Sequence, residues 1–80
     1  MRYTTKGTCS MAIEYELDDE QRVRNVKFIG GCSGNTQGVA KLVEGMPVKE
    51  VISRLEGIKC GSRPTSCPDQ LATALKGSLS

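Results

Sequence analysis

The sequence predicts a small α+β domain, a short antiparallel sheet packed under about three helices. Three observations predict it. Residues 9–17 alternate apolar and polar and are followed by a β-branched run over 23–29. Three apolar stripes at helical spacing fill the second half, and glycines stand where elements should stop. The 80 residues show no internal repeat, linker or low-complexity tract, so residues 1–80 are expected to form a single domain.

Residues 1–8 are polar, with room for a further N-terminal strand and no apolar stretch resembling a signal peptide or membrane span. A cytoplasmic protein is expected. From Cys9 to Leu17 one face carries Cys9, Met11, Ile13, Tyr15 and Leu17, and the other Ser10, Ala12, Glu14 and Glu16, the pattern of a half-buried strand. Asp18-Asp19-Glu20-Gln21 supplies a polar turn and Val23 to Ile29 the returning strand. Glu14 and Glu16 would then oppose Arg22, Arg24 or Lys27, cross-strand pairs worth a few tenths of a kcal/mol each on a solvated face.

Gly30-Gly31-Cys32-Ser33-Gly34-Asn35 ends the sheet with three glycines that free the backbone for positive φ. Asn35 is the expected N-cap of a first helix with Val39, Leu42 and Val43 as its stripe and Gly45 as its left-handed stop. A second helix starts near Pro47, carries Val48, Val51, Ile52 and Leu55 inward, and stops at Gly57. After a loop, Thr65-Ser66-Cys67-Pro68-Asp69 opens the third helix, with Ser66 and Asp69 spaced as a capping box. Leu71, Ala72 and Leu75 face the core, and residues 77–80 are expected to fray.

Eleven Lys plus Arg against nine Asp plus Glu leave a net charge of +2 without a run of one sign, and the three aromatics are too few for a base-stacking platform. Nucleic acid is therefore not an expected partner. A chain of this size buries only roughly 60% of its unfolded surface, so its core is thin and a metal or disulfide would help it. Apolar stripes on three helices also make a homodimer a reasonable expectation.

Four cysteines, in a compartment that keeps thiols reduced, favour metal or redox chemistry over structural disulfides. Cys32 precedes a helix and Cys67 begins one, where unpaired N–H groups and the helix dipole favour a thiolate; Arg63 and Lys59 lie nearby in sequence. Cys9, at the open end of the hairpin, would approach Cys32. Its inward position also suits simple core packing.

Cys9, Cys32, Cys60 and Cys67 would satisfy tetrahedral zinc. No histidine is present, and Asp69 is the nearest carboxylate alternative. The gaps of 22, 27 and 6 residues between successive cysteines lack C-x-x-C knuckles, so an iron–sulfur cluster, a reversible Cys60–Cys67 disulfide, or no cofactor at all also fits the count. Gly30, Gly31, Ser33, Gly34 and Asn35 form a possible anion-binding loop through backbone amides, though without the lysine of a P-loop.

Thr65-Ser66-Cys67-Pro68-Asp69, with Leu55-Glu56-Gly57-Ile58-Lys59-Cys60, Gly30 to Asn35 and Gln70 to Leu75, resembles the TSCPD domain family over nearly the whole chain. The family also occurs appended to cobalamin-dependent ribonucleotide reductases. The resemblance thus implies an accessory role beside a ribonucleoside-diphosphate reductase, because 80 residues cannot hold the radical generator and barrel of the reaction itself. The order Cys9, hairpin, Gly30-Gly31-Cys32, Arg63 and Cys67 is more distantly similar to U-type iron–sulfur scaffold proteins. That likeness implies Cys9, Cys32 and Cys67 as ligands, with Met11 standing where that family has an aspartate; Cys60 would then be available as a fourth ligand, and Asp69 and Arg63, read from their closeness in sequence to Cys67, as supporting neighbours or an alternative ligand.

Overall fold

The structure is a computed structural model. It describes residues 1–5, 10–30, 33–59 and 65–79, with residues 10, 11, 33–35 and 79 described by their backbone alone. Three strands, β1 (Arg2–Thr4), β2 (Ser10–Leu17) and β3 (Val23–Gly30), are followed by three helices, α1 (Ser33–Val43), α2 (Val48–Leu55) and α3 (Cys67–Leu79). The strands form an antiparallel sheet in the order β1-β2-β3, so the expected α+β class and the additional N-terminal strand are both present.

Alternation along β2 sends Ile13 and Tyr15 into the core and leaves Glu16 exposed. Ala12, expected on the outer face, is buried instead: β2 is the central strand, and this small side chain sits between its register partners Thr4 and Ile29. The turn closes through Asp18, whose Oδ1 accepts the N–H groups of Glu20 and Arg22, each at 2.9 Å.

Glu14 pairs with Lys27 and Glu16 with Arg24, so Val26 and Asn25 together oppose Tyr15. This is a β-bulge, and Asn25 accommodates it at φ 56°, a left-handed conformation that asparagine tolerates. The bulge redirects the charges. Arg24 Nε donates to Asp18 Oδ2 at 3.0 Å and its Nη1 lies 3.5 Å from Glu44, while Glu16 accepts from Asn25 Nδ2 at 3.1 Å, so the expected Glu16–Arg24 pair gives way to these partners.

Helix α1 begins at Ser33, which puts Asn35 within the first turn instead of at the N-cap; neither Ser33 nor Gly34 bars helical dihedrals. Its inward face is Thr36, Val39, Ala40 and Val43. Leu42, expected in the stripe, is 78% exposed, because a turn of about 100° per residue carries it off the face that Val39 and Val43 share.

The α1–α2 connection is bonded to the start of β3. Gly45 N–H donates to Val23 O at 2.7 Å, Val23 N–H to Met46 O at 2.9 Å, and Val48 N–H to Gln21 O at 2.9 Å. Gly45 takes φ +80° as the left-handed stop.

The core gathers Ile13, Tyr15, Val23, Val43, Val48, Val51, Leu71, Ala74 and Leu75 from the sheet and all three helices. Helix α3 does not fray at its end: it continues to Leu79, and Ser78 Oγ lies 2.5 Å from the Tyr15 hydroxyl. That hydroxyl, buried with its ring, is also within 3.2 Å of Ala74 O, so a polar contact ties the sheet to the last turns of α3. Among the described residues no helix is long and apolar enough to cross a membrane.

Candidate functional site

Cys67 is the first residue of α3 and is buried, with 8% of its surface exposed. Its placement follows from the hydrogen bonds around it. Ser66 precedes the helix; its carbonyl accepts Gln70 N–H at 2.8 Å and its Oγ accepts Asp69 N–H at 3.2 Å, the N-cap geometry that satisfies one of the orphan donors of a helix start. The Ser66 hydroxyl proton is then free to donate to Ile58 O, at 2.7 Å.

Asp69 completes the tie in a way its spacing alone did not indicate. A capping box would send its carboxylate back to Ser66 N–H. Here Oδ1 accepts Gly57 N–H at 2.7 Å and Oδ2 accepts the Thr65 hydroxyl. Thr65 Oγ1 in turn accepts from Gln70 Nε2 at 3.0 Å, and Gln70 is buried. Thr65, Ser66, Asp69 and Gln70 thus bind the stop of α2 to the start of α3 and hold Cys67 between them.

Thr65 and Gln70 are the site-shaping residues that pattern reasoning did not single out. The one available signal is a glutamine on the apolar side of a helix, since burial of an amide requires partners.

Gly30 ends β3 at φ +77°, and Ser33, Gly34 and Asn35 form the first turn of α1. Ser10 and Gly30 are register partners at the open end of the hairpin. Cys9, Gly31, Cys32, Cys60 and Arg63 lie outside the described residues. Among the described residues no group of three or more cysteine, aspartate or glutamate side chains stands close enough together to hold a metal ion. The structure therefore brings Asp69 beside the helix start that carries Cys67, and makes it part of the cap.

A cluster of charges also lies at the hairpin turn, where Asp18, Arg24 and Glu44 meet. Arg22 N–H and the Arg24 guanidinium hold the Asp18 carboxyl below the usual aspartate range, and Asp18 with Glu44 raises Arg24 above its ordinary value. Its bonds stitch the turn to the α1–α2 connection.

A family model described as the TSCPD domain matches residues 1–79. Searches of curated proteins and of solved structures found no significant match.

Proposed function

Because the chain belongs to the TSCPD domain family, we propose that it is a small zinc-binding accessory module whose metal is held by the thiolates of Cys9, Cys32, Cys60 and Cys67. The observation that carries this reading is the capped start of α3. Cys67 is the buried first residue of that helix, in a frame fixed by the hydrogen bonds of Thr65, Ser66, Asp69 and Gln70 around it.

Chain connectivity supports a shared site. Cys9 directly precedes Ser10 and Cys32 follows Gly30 by two residues, and Ser10 and Gly30 are partners in the sheet. The donor chemistry fits zinc as well: four thiols and no histidine. Both Asp69 oxygens already accept hydrogen bonds, which leaves the thiols as the natural donors. Bound there, zinc would add folding energy to a thin core.

The partner proposed is a larger enzyme, with ribonucleotide reductase first on the strength of the family resemblance. This assigns the module a binding role instead of a reaction of its own.

Elemental analysis of the purified protein tests the metal. Colourless protein with about one zinc per chain, lost on Cys67→Ser or Cys60→Ser while far-ultraviolet circular dichroism stays folded, is the expected result. Brown protein absorbing in the visible would establish an iron–sulfur cluster instead, and metal-free protein whose Cys60 and Cys67 cycle with glutathione a thiol–disulfide function. For the partner, co-elution with the reductase of the same cell is expected; its absence at micromolar concentrations of both would contradict the accessory role.

A further inference from the structure

Between α2 and α3 the chain departs after Ile58 and returns at Thr65, and the two ends of that excursion are fastened to each other. Gly57 N–H donates to Asp69 Oδ1 at 2.7 Å, and one residue on, Ile58 O accepts the Ser66 hydroxyl at 2.7 Å. The bonds run in opposite senses, a backbone donor to a side-chain acceptor and then the reverse, so two adjacent residues of one end are fixed against one turn of the other. Asp69 is itself braced by the Thr65 hydroxyl, and Thr65 by the buried Gln70.

These bonds flank two cysteines. Cys60 is two residues beyond Ile58, and Cys67 directly follows Ser66. Two residues of chain reach at most roughly 7 Å, so with Ile58 O bonded to Ser66 the two cysteines are tethered to neighbouring points. The clamp closes the loop between them before any ligand arrives. A ligand that needs both sulfurs then binds without the entropic cost of that closure.

We infer that Ser66 and Asp69 are positioning residues that preset the Cys60–Cys67 pair through the backbone of residues 57 and 58, neither of them touching the metal. The inference rests on the proposed thiolate site and adds how two of its ligands are brought together.

Zinc affinity of the full chain, measured by competition with a chromophoric chelator, tests it. Ser66→Ala and Asp69→Ala should each weaken binding by about tenfold or more, while the chain stays folded and still saturates at the parent stoichiometry. Asp69→Asn, which keeps an oxygen for Gly57 N–H, should recover part of the loss. Gly45→Ala strains the α1–α2 connection without touching the clamp, and should leave the affinity at the parent value.

A second readout needs no metal. In the metal-free chain carrying Cys9→Ser and Cys32→Ser, the Cys60 and Cys67 thiols are oxidised to one disulfide as one glutathione disulfide is reduced to two glutathione thiols. The equilibrium should favour the protein disulfide at least about tenfold more in the native chain than in urea, and either alanine substitution should remove most of that preference. Unchanged zinc affinity in both alanine variants, or a native preference no greater than in urea, would overturn the inference. A chain that takes up no zinc, yet shows the native preference and loses it with the clamp, would refute the zinc reading and uphold the clamp.

Discussion

Asp69 accepts Gly57 N–H and the Thr65 hydroxyl, and these bonds give its signature position a structural purpose. Removing them in Asp69→Ala should lower unfolding stability by about 1–2 kcal/mol in chemical denaturation, while zinc per chain stays unchanged. A ligand would behave differently, losing the metal together with the carboxylate. At the hairpin, Asp18 offers a pH test of the same kind. Arg22 N–H and Arg24 depress its folded pKa, so the stabilisation it provides is present above the ordinary aspartate range and is lost as pH falls through the lower folded value. Asp18→Asn should accordingly flatten the loss of stability below about pH 4, measured by denaturant titration at a series of pH values, relative to the parent chain.

At the scale of elements, the backbone decides which glycines matter. Gly45 adopts φ +80° and an added Cβ would come within 3.2 Å of Arg24 Nη1, so Gly45→Ala should cost at least about 1 kcal/mol. Gly38 lies inside α1 with nothing within 4 Å of such a Cβ, and Gly38→Ala should raise stability by about 0.5–1 kcal/mol. Opposite shifts in thermal midpoint would verify both.

The elements themselves were legible in the sequence because pleat and helix impose periods of 2 and 3.6 on apolar residues. The departures have no such period. A bulge at Asn25 is invisible to alternation, yet it sends Arg24 to Asp18 and Glu44. Leu42 counts as apolar in any stripe, and only the rotation of α1 about its axis exposes it. Ser78 reads as a fraying end, but its contact with the Tyr15 hydroxyl holds the last turn. The site divides in the same way. Ser66 before Cys67 announces a helix start, whereas the bond from Gly57 to Asp69 joins residues 12 positions apart, which no local rule foresees.

For the molecule as a whole, the largest fully buried side chains among the described residues are Ile13, Leu71, Leu75, Val23, Val48 and Val51, a modest core in which one added cross-link has leverage. Zinc joining the hairpin end, the α2–α3 loop and the start of α3 would tie together segments distant in sequence, and so influence global stability more than any single cap. The most direct test is a calorimetric zinc titration of the reduced, chelator-stripped full chain. The account predicts binding of one equivalent, with release of thiol protons that varies with buffer ionisation heat and a rise in unfolding midpoint on saturation. A folded chain that takes up no zinc, releases no protons and keeps the same midpoint would contradict it.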